Sequence, residues 1–278
     1  MTLGQAITLA VVEGITEYLP VSSTGHMIVT SSVLGIGCDN FTKLFTIAIQ
    51  LGAILAVVAL YWRKFINLRD YRFYLKLGIA VIPALIFGKL LDDFIDSKLG
   101  NPVFIGCTLL GGGILLLFVD NWFRNPKIKS ENEIGFLRAF FIGCWQVLAV
   151  LLPGLSRSAS TIIGGMQQKL SRDVAAEFSF FLAVPTMLAA TGYSLFLKDW
   201  VDGGVSQKGY QMVLASSDNT MAFAVGNLVA FIVAVIAVKL FIGMVKKFGF
   251  RIWGIYRIVA GAAVLIIYLT HAITLQVC

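Results

Sequence analysis

The sequence predicts an all-α polytopic membrane protein with six transmembrane helices plus two re-entrant helix-loop-helix pairs in an inverted-topology repeat. Three observations predict it: too few charges for a water-facing surface, six apolar runs of bilayer length, and two further apolar regions that proline and hydroxyl residues break at the middle. Of 278 residues, 58% are hydrophobic and 13% charged, whereas a soluble domain carries roughly 25% charged residues. The mean hydropathy of +0.86 agrees that lipid is the solvent for most of this surface. The net charge of +7 reads as membrane orientation rather than nucleic-acid binding, because no basic run with interleaved aromatics occurs.

A helix crosses the hydrocarbon core with about 20 mostly apolar residues. The six runs that fit are about 43–62, 73–91, 102–120, 175–197, 220–245 and 253–270. Polar dividers separate them, among them 63–72, 92–102, 121–133, 198–211 and 246–251. Residues 3–34 and 134–168 are too long for one span and too short for two with a loop. Their breaks read LPVSSTGHM at 19–27 and LPGLSRSAST at 152–161. Proline removes a backbone donor and disfavours helix at the preceding residue. Non-helical backbone at membrane depth survives only when buried in protein or lining a wet cavity.

The two regions are related. An offset of 133 places Pro20 on Pro153 and Ser23 on Ser156, and FTIAIQLGAILA at 45–56 on FSFFLAVPTMLA at 178–189. The chain therefore reads as one membrane domain over 1–278, with repeat halves at about 1–120 and 134–270. Three spans follow each broken region, so the second half starts from the opposite face, an inverted repeat that brings two breaks together near the midplane. The loops 63–76, 121–138, 169–172 and 246–251 hold 14 Lys and Arg, and the opposite loops hold five. The positive-inside rule makes the first set cytoplasmic and places both termini outside. No cleavable leader is expected, since the apolar N-terminus lacks a basic start.

Charges within apolar segments are costly and mark function. Glu13 and Glu17 lie four apart on one helix face, a pair suited to a divalent cation such as Mg²⁺ or Ca²⁺, or to acid–base work. Ser22, Ser23, Thr24, Gly25 and His26 follow the first proline, where the start of a half-helix favours an anion. His26 is one of two histidines and a candidate nucleophile or base, as is Ser23. The second break sets Arg157 among Ser156, Ser158 and Thr161, a cradle whose guanidinium fork matches phosphate. An ion pair between Arg157 and Glu13 or Glu17 is compatible with that role.

Other polar residues carry less. Gly111, Gly112 and Gly113 read as close helix packing, and Glu177 as a partner of Arg172. Lys239 and Arg257 read as snorkelling, and Trp122, Trp200 and Trp253 as an interfacial belt. Cys107 and Cys144 are expected to pack in apolar runs, while a Cys38–Cys278 bond is left open.

EGITEYLPVSSTGHM with PGLSRSAST, in that order, resembles the undecaprenyl pyrophosphate phosphatase, or bacitracin-resistance, family. The likeness extends through QLGAILAVV and FSFFLAVP and so over essentially the whole chain. It implies hydrolysis of the terminal phosphate of a C55 polyprenyl diphosphate, recycling the lipid carrier of bacterial wall synthesis at the outer face of the cytoplasmic membrane. It implies a divalent cation at Glu13 and Glu17, a nucleophile region at Ser23 and His26, and a phosphate-binding Arg157. Ser22, Thr24, Gly25, Ser156, Ser158 and Thr161 would contact substrate. The expected partners are the polyprenyl diphosphate, membrane lipids and a second copy of the chain in a homodimer. Ala159 departs from the glycine of many members. The rival reading is a lipid or anion transporter, since inverted repeats with broken helices also build transporters. Membrane phosphatases with an SRxxxxxH motif fit poorly, because Ile163 stands where their histidine would.

Overall fold

A computed structural model describes residues 1–92, 94, 98, 101–202 and 205–270. Cys278 and His271 lie outside them, so the Cys38–Cys278 pairing does too. The chain opens with α1 (Leu3–Thr16) and α2 (Ser23–Val33), a pair joined across the first break. It continues through α3 (Asn40–Ala48), α4 (Gln50–Leu60), the short α5 (Trp62–Ile66), α6 (Tyr71–Leu90) and α7 (Pro102–Trp122). A second pair follows, α8 (Phe136–Leu151) and α9 (Arg157–Gln167). Then come α10 (Arg172–Gly192), a π-turn at Tyr193–Leu197, a hairpin of β1 (Asp199–Asp202) and β2 (Val205–Lys208), α11 (Gly209–Leu214), α12 (Ser217–Phe248) and α13 (Arg251–Leu269).

Six helical stretches are long and apolar enough to cross a membrane: Asn40–Leu60, Tyr71–Leu90, Pro102–Trp122, Arg172–Leu197, Ser217–Phe248 and Arg251–Leu269. They coincide with the six predicted runs. Many large apolar side chains are exposed; along α12, Leu228, Ile232, Ile236 and Leu240 all face outward. At four-residue spacing they form one helix stripe that only a lipid solvent would leave uncovered.

The two broken pairs share their local geometry. Ser22 and Ser156 cap α2 and α9 with φ of 71° and 76°, and each side chain accepts from the amide three residues on, Gly25 or Ala159. Both helices end alike: Gly35 and Lys169 have φ of 70° and 69°, and Ile36 and Leu170 donate their amides five residues back to Ser31 and Gly165. This is the Schellman ending, which satisfies carbonyls at a helix C-terminus. The offset here is 134, so the predicted match of Ser23 with Ser156 is corrected: Ser22 is the counterpart of Ser156, and Ser23 that of Arg157. The second loop is one residue longer between proline and cap, and Gly154, with φ of 95°, takes up the extra length.

Packing exchanges elements between the halves. The first helix of each broken pair lies on a long helix of the other half, α1 on α12 and α8 on α6. Small residues permit the approach: a Cβ on Gly143 would lie 2.1 Å from the Ala80 carbonyl oxygen. Helices α7 and α13 pack against each other, and a Cβ on Gly113 or Gly261 would lie 2.9 Å from the Gly254 or Gly106 carbonyl oxygen. Gly112 and Gly113 thus serve close packing, while Gly111 faces open space.

Several secondary expectations are corrected. Arg172 pairs with Asp120 (Nε–Oδ1 2.6 Å), and Glu177 accepts instead from the Tyr61 hydroxyl at 3.4 Å. Trp200 and Trp253 are buried, Trp253 against Phe241, and of the three only Trp122 is exposed. Cys107 is exposed rather than packed. Arg257 does not snorkel: it is wholly buried.

Candidate active site at the meeting of the two breaks

The proline breaks face each other in the protein interior. Thr16 and Glu17 end the first half-helix, and the chain then turns so that α2 begins at Ser23. Glu17 and Ser23 are six residues apart yet touch, Ser23 Oγ donating to Glu17 Oε2 at 2.5 Å. The other oxygen, Oε1, takes Nη2 of Arg157 from the second break at 2.7 Å. Arg157 Nη1 donates to the Ser179 carbonyl at 2.9 Å, and its guanidinium lies 5.8 Å from the Tyr18 ring centroid. Tyr18 is fixed in turn, its hydroxyl donating to the Ala53 carbonyl at 2.9 Å.

Two kinds of polar atom stay unsatisfied in this cluster. Both carboxylate oxygens of the fully buried Glu13, one helical turn before Glu17, lack a hydrogen-bond donor among the described residues. Arg157 Nε, also buried, lacks an acceptor among the described residues. Such groups are costly to bury. A ligand that brings a cation to Glu13 and an oxyanion to Arg157 satisfies both. The donor set is hard carboxylate oxygen, which suits Mg²⁺ or Ca²⁺. Among the described residues no group of three His, Cys, Asp or Glu converges, so a cation here would find protein ligands only in Glu13 and Glu17.

A cavity of about 510 Å³ leads away from the cluster. Glu17, Ser22, Ser23, Thr24, Ser156 and Arg157 line one part of it. Its walls are mostly apolar, with Ile47, Leu85, Ala149, Val150, Met187 and Ala189, and it also reaches Lys89, Asp92, Tyr193 and Lys198 at the ends of α6 and α10. A polar pair interrupts the walls: the buried Gln146 donates Nε2 to Thr186 Oγ1 at 3.1 Å.

Not every residue singled out from sequence meets this cavity. Ser158 and Thr161, expected as substrate contacts, are fully buried. Ser158 Oγ donates to the Leu19 carbonyl at 2.8 Å and so ties the second break to the first. Thr161 Oγ1 lies 2.6 Å from Ser179 Oγ. Gly25 packs against α7, where a Cβ would sit 3.3 Å from Leu109 Cδ1. His26 turns away from Glu17 and Ser23. Its Nδ1 lies 2.7 Å from the Ser22 carbonyl, its Nε2 2.7 Å from the Tyr256 hydroxyl, and its ring stacks on Tyr256 at 5.7 Å between centroids. A carbonyl only accepts, so Nδ1 carries a proton, and in the neutral ring Nε2 accepts from the Tyr256 hydroxyl. Tyr18, Ser179, Tyr256 and Gln146 escaped sequence reasoning, which singles out Arg257 only as a snorkelling residue. Gln146 had a signal, since the offset of 133 places it on Glu13.

The family model described as "Bacitracin resistance protein BacA" matches residues 6–263. Proteins named undecaprenyl-diphosphatase are similar over nearly the whole chain. That of Flavobacterium johnsoniae is 52% identical over 273 residues, covering 98% of each chain. That of Flavobacterium psychrophilum is 53% identical, also covering 98% of each. That of Aquifex aeolicus is 43% identical, covering 94% of this chain and 96% of its own.

Proposed function

The chain belongs to the bacitracin resistance protein BacA family, and from that premise we propose that it is a membrane-integral phosphatase that hydrolyses the terminal phosphate of undecaprenyl diphosphate. The product is undecaprenyl phosphate, and the activity recycles the lipid carrier of cell-wall synthesis and raises tolerance of bacitracin. The observation that carries the reading is the 2.5 Å contact of Ser23 Oγ with Glu17 Oε2 beside Arg157, on an apolar-walled cavity. A hydroxyl held by a carboxylate beside a guanidinium is an arrangement for attack on a phosphate.

In the reaction we assign, the terminal phosphate takes up Arg157, including its unpartnered Nε, and thereby releases Glu17. Ser23 Oγ attacks the terminal phosphorus while its proton passes to Glu17. The bond from phosphorus to the bridging oxygen breaks, Glu17 passes the proton to that departing oxygen, and undecaprenyl phosphate leaves with Glu17 ionised again. Water then attacks the phosphoserine with Glu17 taking its proton, the bond from phosphorus to Ser23 Oγ breaks, and Glu17 returns the proton to Oγ, giving inorganic phosphate and restoring both residues. Ser22, Thr24 and Ser156 contact the phosphate from the cavity wall. Glu13 and Glu17 would hold a Mg²⁺ or Ca²⁺ ion, which when bound supplies charge neutralisation at the phosphate. The mostly apolar walls suit the prenyl chain.

The membrane placement is part of the proposal. The halves are inverted copies, both termini lie outside, and the cavity opens on the outer face of the bacterial cytoplasmic membrane, the side of Lys89 and Lys198. The distribution of basic loops supports this. Sealed vesicles of known orientation, given undecaprenyl diphosphate on one face, test both parts. Phosphate release with substrate on the outer face is expected. Lipid movement without phosphate release would replace the phosphatase by the transporter reading.

A further inference from the structure

Arg257 lies in the middle of α13, wholly buried, and every hydrogen bond it makes among the described residues ends on a backbone carbonyl. Nη1 donates to Pro20 at 3.2 Å and to Leu155 at 2.6 Å. Nη2 donates to Gly154 at 2.9 Å and to Thr108 at 3.2 Å. Nε donates to Leu109 at 3.3 Å. Pro20 belongs to the first break, Gly154 and Leu155 to the second, and Thr108 and Leu109 to α7. One planar group thus joins both breaks and fastens them to the α7–α13 pair.

The location sets the consequence. Pro20 stands midway between Glu17 and Ser23, and Leu155 two residues before Arg157. The carbonyls of broken helices have lost their own partners, and five donors in a fixed fork answer them where three on a lysine cannot. Gly112 makes the room, since a Cβ there would lie 2.2 Å from Nη2. Paying to bury a guanidinium with no carboxylate among these partners makes little sense for packing alone, because an apolar side chain would fill the space at lower cost.

We propose that Arg257 is a positioning residue for the phosphatase reaction, holding the two breaks in the register that sets Ser23 and Glu17 against Arg157. It touches neither the cavity nor the reacting atoms and acts through the backbone of the breaks. The inference rests on the assignment of Glu17, Ser23 and Arg157 as the site.

The test is steady-state phosphate release from undecaprenyl diphosphate by full-length Arg257→Lys in detergent, with thermal unfolding measured alongside. Misplacement of reacting groups by about 1 Å costs about 10²-fold in rate, so kcat is expected to fall by about that factor while KM stays within about threefold. An arginine that served the fold alone would lower Tm without lowering kcat in the protein that remains folded, and that result overturns the proposal. If Arg257→Lys fails to fold, Gly112→Ala keeps every donor and displaces Nη2. It is expected to lower kcat about tenfold with the same small change in KM, and an unchanged kcat overturns the proposal. Ser23→Ala separates the two layers: if it retains activity the site assignment fails, whereas an inactive Ser23→Ala beside a fully active Arg257→Lys sinks only the positioning role.

Discussion

Arg157 Nη2 meets Glu17 Oε1 at 2.7 Å across 140 residues of sequence, and both side chains are nearly inaccessible, 10% and 3% exposed. Removing one partner of such a pair leaves a buried uncompensated charge, a loss of about 3–5 kcal/mol. Arg157→Ala should therefore lower both Tm and activity, the latter by about 10²–10³-fold if the guanidinium stabilises the transferring phosphate. Adding Glu17→Gln should restore much of the Tm and none of the activity. A double variant as unstable as Arg157→Ala would show that the two residues are not coupled in the resting protein.

Ser23 is the residue expected to carry phosphate. Ser23→Ala should lose about 10²–10⁴-fold in kcat through loss of the nucleophile and its proton transfer. Rapid acid quench with substrate labelled in the terminal phosphate should trap label on the peptide holding Ser23. His26 has its accepting nitrogen occupied by Tyr256, and Tyr256→Phe removes one hydrogen bond worth about 1 kcal/mol. That variant should fall by less than about tenfold in kcat. Label on His26, or on neither residue, would redirect the mechanism to the imidazole or to water.

What the sequence disclosed divides along physical lines. Span positions follow from composition summed over some twenty residues, so the six runs were legible, whereas a contact between single side chains across 140 residues is not. Glu17, Ser23 and Arg157 stood out because charge and hydroxyls within apolar runs are expensive. Arg257 also lies in an apolar run but reads as snorkelling, since snorkelling and carbonyl capture look identical in a one-dimensional string. Ser158 and Thr161 shared the composition of the cradle, but they sit three residues apart on α9 and face Leu19 and Ser179, inside the packing. The one-residue shift of register at the second break hid for a related reason: a glycine at positive φ absorbs an insertion without disturbing the helices around it.

The cavity walls should discriminate by chain length. Ala149 and Ala189 line them, and tryptophan at either site would occupy space assigned to the prenyl tail. Each variant is expected to raise KM for the C55 substrate about tenfold, equivalent to 1.4 kcal/mol of lost binding, and to leave a short-chain prenyl diphosphate within about threefold. Equal losses for both substrates would place the prenyl chain elsewhere.

Glu13 offers the orphaned oxygens expected to take a divalent cation. Chelation should abolish phosphate release and added Mg²⁺ or Ca²⁺ restore it. Glu13→Gln keeps the shape and removes the charge, so the cation concentration for half-maximal rate should rise at least about tenfold, with KM for lipid changed far less. Full activity in chelator with no added ion would remove the metal from the proposal.

The exchange of helices between the halves predicts which glycines the fold cannot lose. A Cβ on Gly143 would lie 2.1 Å from the Ala80 carbonyl oxygen, and one on Gly52 2.1 Å from that of Asn227. Both obstacles are backbone, so a helix must move to admit a methyl group. Overpacking of this kind costs about 1–3 kcal/mol. Gly78 and Gly111, on helices of the same bundle, have nothing within 4 Å of that position. Alanine there gains helix propensity of up to about 1 kcal/mol and meets no resistance. Thermal unfolding in one detergent should therefore separate the four substitutions by sign: Gly143→Ala and Gly52→Ala below the parent, Gly78→Ala and Gly111→Ala at or above it. Because α8 and α4 carry the first pair against α6 and α12, a failure of that ordering would mean the halves do not interlock as described.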